Sequence, residues 1–414
     1  MLLPDRTDGR PPQIRGRISM RGAEIAGQLR IEGVRIEADG DAFSLGRITV
    51  GDTVTIDTTS VVGRIDLSAG DIGGFVIGAD CSVDAPGRTA IDLSNAQSHG
   101  HVVIAAGTPI RGTVNVGGAR IRGLLTLTGV VLQDPDGASV FRASGATIDG
   151  DVDLQNVTAT GQLNFWRTTM NGSLLAGGAR LTHPDGVTIR LYQATVHGSV
   201  FLTDGFSSEG VVLMNRTVID GHLNCTDGTF RCPGPSRLNE NGHAILAQST
   251  QVLGQMMLSW RTVSPSVDFT DASTAVLTDD PATWPSRFSV AGFQYSRFGA
   301  ATWDWRARRD WLAGQTPFDA GPYEQAARVF RQHGYGLGAE QLLIAQRVQA
   351  RHAAYPSGRH SRALLDAAYG WSVGYGYRVA GRCSVLQGGG EGPGWEGRQA
   401  RAVPYTGRFC CSMY

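Results

Sequence analysis

The chain has 414 residues, with 37 arginines, no lysine and 37 acidic residues, so its formal net charge is zero. Glycine is in excess at 56 residues but does not recur at every third position, which excludes collagen and indicates a chain that turns often. No apolar run reaches the roughly 18 residues of a membrane-spanning helix. The start, Met-Leu-Leu-Pro-Asp-Arg, is unlike a signal peptide, so we expect a cytoplasmic protein.

The dominant pattern is an internal repeat. Val83, Leu132, Leu181 and Phe230 each precede a turn-forming string such as Asp-Pro-Asp-Gly, and each lies 49 residues before the next. Apolar residues between them recur in steps of about five or six, which fits neither a helix nor a single long strand. Short strands joined by corners, in four-sided coils of about 22 residues, explain this spacing. The repeat is then two coils plus an insertion of about five residues at the Pro-Asp-Gly turn.

These observations predict a mainly β protein, a parallel β-solenoid over residues 14–282 that follows an irregular N-terminus over residues 1–13. Stacked coils place equivalent apolar residues in one inner ladder, because a single coil cannot bury its own apolar face. The residues predicted to point inward in one repeat are Leu154, Ala159, Phe165, Met170, either Leu175 or Ala176, and Leu181.

The composition changes after the repeat. Residues 283–320 are rich in tryptophan, phenylalanine and tyrosine, and we expect them to cap the open solenoid end. Residues 321–378 predict an antiparallel helical hairpin, from Pro322 to Gln332 and from about Gly338 to Ala354, and then a basic amphipathic helix over 361–374. Residues 379–414 lack periodicity and are predicted to be disordered; a shifted reading frame is an alternative origin for them.

The charge is placed unevenly between these regions. Residues 1–296 carry 22 arginines against 29 acidic residues, whereas residues 297–382 carry 12 arginines against 6. The basic segment suits an anionic lipid surface, and a solvated helix surface is the simpler alternative.

Candidate catalytic groups are few. His99 and His101 would point to the same side of a strand, as in a metal site, and Asp149, Asp151 and Asp153 could do so in a sugar-cleaving site. Corner and surface positions explain both sets more simply. The six cysteines have no metal-ligand spacing, and no nucleotide-binding loop or nucleophile elbow occurs, so no cofactor is predicted.

Two segments carry a resemblance. The arms Gly118-Ala-Arg-Ile-Arg-Gly-Leu-Leu-Thr-Leu and Gly178-Ala-Arg-Leu resemble those of the degenerate pentapeptide-repeat-like solenoids of high-GC bacteria. The string Pro322-Tyr-Glu-Gln-Ala-Ala-Arg-Val-Phe-Arg-Gln-His-Gly and the later Val373-Gly-Tyr-Gly-Tyr-Arg resemble the C-terminal part of the same proteins. The resemblance implies a membrane-associated protein catalogued as an oxidoreductase, and it supplies no catalytic residue. Such proteins have hydrophobic spans after the last motif, where this chain has residues 379–414.

We therefore expect a non-enzymatic scaffold or binding protein at the inner face of the cytoplasmic membrane, with an anionic membrane surface or a protein as its partner and nucleic acid not favoured. The alternatives are a membrane-associated oxidoreductase, a carbohydrate-active β-helix and a polymerising cytoskeletal solenoid. The candidate lipid-facing residues are Arg306, Arg308, Arg309, Arg351, Arg359, Arg362 and Arg378.

Overall fold

The computed structural model describes residues 11–134, 139–235, 239–299 and 303–354. It is a parallel β-solenoid of about 12 turns, followed by three helices. The first strands are β1 (Gln13–Arg15), β2 (Ile18–Ser19), β3 (Glu24–Ile25), β4 (Leu29–Glu32), β5 (Arg35–Ser44), β6 (Thr49–Asp57), β7 (Ser60–Asp66), β8 (Asp71–Ile77), β9 (Ser82–Asp92), β10 (Gln97–Ser98), β11 (Val102–Ile104) and β12 (Pro109–Asn115). The next are β13 (Arg120–Ile121), β14 (Leu125–Thr126), β15 (Val131–Gln133), β16 (Ser139–Arg142), β17 (Thr147–Ile148), β18 (Val152–Asp153), β19 (Thr158–Thr160), β20 (Gln162–Asn164), β21 (Thr169–Met170), β22 (Leu174–Leu175), β23 (Arg180–Arg190) and β24 (Thr195–Val196). The last are β25 (Val200–Phe201), β26 (Ser207–Leu213), β27 (Val218–Ile219), β28 (Leu223–Asn224), β29 (Thr229–Arg231), β30 (Ile245–Leu246), β31 (Gln251–Leu258), β32 (Thr262–Ser264), β33 (Ser266–Asp268), β34 (Ser273–Asp279), β35 (Arg287–Ser289) and β36 (Gln294–Phe298).

A single coil consists of four short strands, as β19 to β22 illustrate. Strands β19 and β20 belong to one parallel sheet, and β21 and β22 belong to the other. Each strand pairs in parallel with the equivalent strand of the next coil, so that Ile148 lies beside Met170 and Met170 beside Val196. The predicted fold class is thus confirmed.

Coils of two lengths alternate along the axis. Arg180 pairs with Thr158 of the coil before it and with Ser207 of the coil after it. More residues lie between Arg180 and Ser207 than between Thr158 and Arg180, so the coil that begins at Arg180 is the longer one. The longer coil holds the His183-Pro-Asp-Gly turn, where the register of β23 against β26 shifts between Thr182 and Val187. This confirms the double-coil repeat and the place of its insertion.

Gly63, Gly112, Gly161 and Gly210 occupy the same corner, each in a coil that follows an insertion, whereas Pro265 occupies this corner after the last insertion. At Gly112 the backbone has φ of 116°, and a Cβ atom would lie 2.5 Å from the Ala85 carbonyl oxygen and 2.8 Å from that of Arg88. Both carbonyls belong to the insertion of the preceding coil, between Asp84 and Thr89. A side chain at Gly112 is therefore excluded twice, by the backbone conformation and by the neighbouring carbonyls.

The two corners on either side of β21 and β22 are turns with a left-handed residue. One corner holds a left-handed residue in every coil, and only some of these residues are glycine, as Arg167 (φ 54°) and Gln193 (φ 58°) show. Ordinary side chains occupy this corner because it faces solvent and each turn needs only one residue in the left-handed region.

The interior matches the predicted ladder. Leu154, Phe165 and Met170 are fully buried, and Phe141 packs on Phe165 with ring centroids 5.3 Å apart. Ala176 is the inward residue, whereas Leu175 is only partly buried. Each buried aliphatic side chain contributes on the order of 1.5–3 kcal/mol, and the ladder repeats this gain in every coil.

The solenoid extends beyond the predicted boundary at residue 282. Strands β35 and β36 still pair in parallel with the preceding coil, so the last coil ends at Phe298. The aromatic residues of this coil, including Trp284 and Phe293, are buried in the solenoid interior. The sequence analysis predicted a separate cap for these residues because their bulky rings interrupt the pattern of small residues that the earlier coils show.

Three helices follow: α1 (Trp305–Ala313), α2 (Gly321–Gln332) and α3 (Gly336–Ala354). Helices α2 and α3 match the predicted hairpin, and its antiparallel sense follows from two contacts. Gln346 donates to Glu324 over 3.0 Å, and a Cβ at Gly338 would touch the Phe330 ring. Helix α1 was not predicted. The predicted helix over 361–374 and the tail over 379–414 lie outside the described residues.

We expect Leu154→Asp to lower the melting temperature far more than Asp153→Ala. The first substitution places a carboxylate in the dry inner ladder, whereas Asp153 lies at the surface, where it accepts one hydrogen bond, of 2.9 Å, from the Gln155 amide. Thermal unfolding followed by circular dichroism gives both midpoints. Equal shifts would mean that the inward assignment is wrong.

Gly112→Ala should destabilise the solenoid more than Gly107→Ala. Both glycines have positive φ, but a Cβ at Gly107 meets nothing within 4 Å. The shared conformational cost is about 1–3 kcal/mol, and only Gly112 adds a collision with backbone. Urea unfolding midpoints of the two variants test the difference, and a larger shift for Gly107→Ala would contradict this account of the repeat.

Candidate functional site

The structure divides the candidate lipid-facing arginines into three groups. Arg306 is exposed on α1, Arg309 is partly exposed there, and Arg351 is half-buried near the end of α3. Arg359, Arg362 and Arg378 lie outside the described residues. The remaining member, Arg308, is fully buried.

Arg308 is therefore corrected from a lipid contact to an internal anchor. Its guanidinium forms a two-pronged ion pair with the carboxylate of Asp279 on β34, with one hydrogen bond of 2.9 Å and a second, shorter one. Asp279 also accepts a hydrogen bond of 2.8 Å from the Trp284 indole, and the guanidinium lies over the rings of Phe298 and Trp311. The pair thus ties α1 to the last coils. A run of arginines on a short helix does not indicate which one faces inward.

The two neighbouring arginines point to solvent and stack on one ring. The guanidinium carbon of Arg306 lies 4.6 Å from the Trp305 ring centroid, and that of Arg309 lies 5.7 Å from it. Stacking orders a guanidinium while its N–H edges stay available for an oxyanion. Arg309 also contacts Asp310 at 2.7 Å.

An exposed apolar surface lies beside these arginines, where α2 turns into α3. The turn follows Gly334, which has φ of 87°, and it presents Tyr335 and Leu337, which are 46% and 80% exposed. The Tyr335 ring stacks on Trp303 with centroids 4.7 Å apart. We call Trp303, Trp305, Tyr335 and Leu337 the aromatic tip.

An open cavity of about 610 Å³ runs along the aromatic tip. The buried ring of Phe330 forms its floor, and Glu340 is the acidic residue among its lining side chains. Sequence reasoning missed Tyr335 and Leu337. The available signal was the string Gly334-Tyr-Gly-Leu-Gly338, an apolar pair between glycines in a helical hairpin turn.

The candidate histidine and aspartate sets stabilise the solenoid surface. His99 contacts Asp71 of the preceding coil at 2.7 Å, and Nδ1 of His101 accepts the Leu124 amide of the next coil at 2.9 Å. Asp149 and Asp151 likewise accept hydrogen bonds from the following coil, from Asn171 at 2.9 Å and the Ser173 amide at 2.7 Å. Within the described ranges no group of three acidic, histidine or cysteine side chains could hold a metal ion.

A polar pocket of about 340 Å³ lies near the end of the solenoid. Two of its lining residues are His243 and Ser266, whose Nδ1 and Oγ atoms are 2.8 Å apart. Burial lowers the pKa of His243, Asp268 opposes this shift and Arg287 adds to it. Ser266 itself is 3% exposed, so this pair is chiefly a packing contact between adjacent coils.

Arg308→Met should lower stability strongly, because it leaves the Asp279 carboxylate buried without its cation. Loss of one partner of a buried ion pair costs about 3–5 kcal/mol. Arg306→Met on the same helix is the matched control, since that side chain is exposed. Urea unfolding with tryptophan fluorescence should show a lower midpoint for Arg308→Met alone; similar midpoints would refute the anchoring role.

Comparisons with known proteins do not assign this chain to a family. No family model, curated protein or solved structure matches it. The fold class is shown by the strand pairing, and the resemblance to pentapeptide-repeat-like solenoids stays a prediction.

Proposed function

We propose that this protein is a non-enzymatic solenoid scaffold that attaches peripherally to an anionic membrane surface through the aromatic tip. One observation carries the proposal: Leu337 is 80% exposed beside Tyr335 and Trp303, and two guanidinium groups stack on the adjacent Trp305. An exposed aliphatic side chain, amphipathic rings and arginines together suit the boundary between lipid headgroups and acyl chains.

The energies are adequate for reversible attachment. Burying a leucine in lipid contributes about 1.5–3 kcal/mol, and each arginine near an anionic surface contributes about 1 kcal/mol. Leu337 and Arg306 together therefore supply about 2.5–4 kcal/mol; Arg309 adds less because Asp310 pairs with it at 2.7 Å, and Tyr335 and Trp305 add interfacial contacts. The described residues include no helix that is long and apolar enough to cross a bilayer.

A scaffold role agrees with how the polar side chains of the solenoid wall are used. The candidate groups His99, His101, Asp149 and Asp151 each bond to a neighbouring coil. They hold the coils in register, which is a structural task. The oxidoreductase, carbohydrate-active and filament-forming alternatives gain no specific support from the contacts of the described residues.

Vesicle flotation tests the attachment. We expect the full chain to float with vesicles that contain an anionic lipid at low salt and to stay at the bottom with purely zwitterionic vesicles. Leu337→Asp should reduce binding about tenfold or more, because it removes apolar burial of about 1.5–3 kcal/mol and adds a repelled charge. The double variant Arg306→Gln/Arg309→Gln should weaken binding and its salt dependence.

Leu253→Asp is the matched control, because Leu253 is an exposed leucine, 61% accessible, on the solenoid wall. Its binding should equal that of the unchanged chain. The membrane proposal fails if the unchanged chain does not float with anionic vesicles, or if both leucine variants lose binding equally.

A further inference from the structure

A second charged surface lies at a corner of the solenoid, midway along it. Four arginines and two aromatic residues project there from four successive coils, and we call them the arginine stripe. Its members are Arg142, Trp166, Arg167, Arg190, Tyr192 and Arg216.

Strand register places these arginines in two columns. Arg142 pairs with Asn164, and Asn164 pairs with Arg190, so the two arginines of the first column stand two coils apart. Arg167 and Arg216 occupy the left-handed turn position of the same corner, with φ of 54° and 57° and one coil between them. The columns are offset by one coil, so each of the four coils contributes one guanidinium.

Aromatic rings hold two of the four guanidinium groups in place. Those of Arg167 and Arg190 lie 5.1 Å and 5.7 Å from the Trp166 ring centroid, and that of Arg190 is also 5.6 Å from the Tyr192 ring. Stacked guanidinium groups keep their N–H edges free for carboxylates.

These guanidinium groups lack acidic partners. Over the described ranges, no carboxylate lies within ion-pair distance of Arg142, Arg167, Arg190 or Arg216, although residues 1–296 are acidic in total. Arg167 donates only to the side-chain oxygen of Gln193, over 3.1 Å, and the buried Nε of Arg190 has no hydrogen-bond partner. A concentrated positive charge without internal compensation indicates an external anion.

We propose that the arginine stripe binds an acidic amphipathic helix of a partner protein, laid along the solenoid axis. Stacked coils repeat at about 4.8 Å, and a helix with one carboxylate per turn repeats at about 5.4 Å. Over three intervals the mismatch is only about 2 Å, which flexible arginine side chains absorb. An extended strand repeats at about 6.6–6.8 Å on one face, so its carboxylates would drift by more than one coil.

The test uses fluorescence anisotropy with the full chain and a labelled alanine-rich helical peptide that carries glutamate once per turn on one face. Saturable binding that weakens with salt is expected. The double variant Arg167→Gln/Arg190→Gln should weaken it about tenfold or more, since two close charge pairs are lost. Glutamine is compatible with the turn, because Gln193 occupies the equivalent position in the next coil with φ of 58°.

Two controls make the outcome decisive. Arg47→Gln removes an exposed arginine at the same turn position near the start of the solenoid and should leave binding unchanged. A peptide of the same composition with scattered glutamates should bind at least about tenfold more weakly. The proposal is overturned if the peptide with one glutamate per turn fails to bind, or if both peptides bind equally. It is also overturned if Arg47→Gln weakens binding as much as the double variant does, or if a single-stranded oligonucleotide of equal charge binds more tightly than the peptide and displaces it.

Discussion

The whole structure depends on backbone stacking between coils. Each coil must lie about 4.8 Å above the previous one, with four strand segments in parallel register, and any change of path is imposed on the coil that follows. This explains why an insertion such as His183-Pro-Asp-Gly186 occurs in alternate coils and why Gly210 of the next coil lies against it. In the double-coil repeat, one coil carries the insertion and the next coil follows a path that leaves space for it.

The stacking of coils also determines how side chains are arranged on the surface of the solenoid. Equivalent residues of successive coils form columns parallel to the solenoid axis. Residues of the same chemical type at successive positions of a column therefore form a stripe on the surface. In other columns a polar side chain, such as that of His101 or Asp151, bonds to the coil that follows. The arginine stripe is different because its four guanidinium groups lack carboxylate partners in the described ranges, and those of Arg167 and Arg190 contact aromatic rings instead. The solenoid thereby presents a surface of unbalanced charge on a regular support.

The helical end uses its arginines in two opposite ways. Arg308 lies inside, where its bond to Asp279 and its contacts with Phe298 and Trp311 join helix α1 to the last coils. Arg306 and Arg309 lie outside on the Trp305 ring, next to the aromatic tip. The buried pair holds the helices against the solenoid and thus positions the exposed residues. In the proposed function, this short helix contributes to the internal order of this end through Arg308 and, through Trp305 and Arg306, to the surface that attaches to a membrane.

The amino-acid sequence by itself determined the solenoid, its coil length, the double-coil repeat and the inner ladder through Leu154 and Phe165, because a periodic fold leaves a periodic apolar pattern. It also determined the helical hairpin, through Pro322, Gly334 and the apolar spacing between them. Only the tertiary structure decided that the last coil ends at Phe298, that Arg308 is internal and that Tyr335 and Leu337 are exposed. Those outcomes depend on contacts between segments far apart in the chain, and no local pattern records them. The arginine stripe has the same origin, since Arg167 and Arg190 meet at the Trp166 ring only when coils stack.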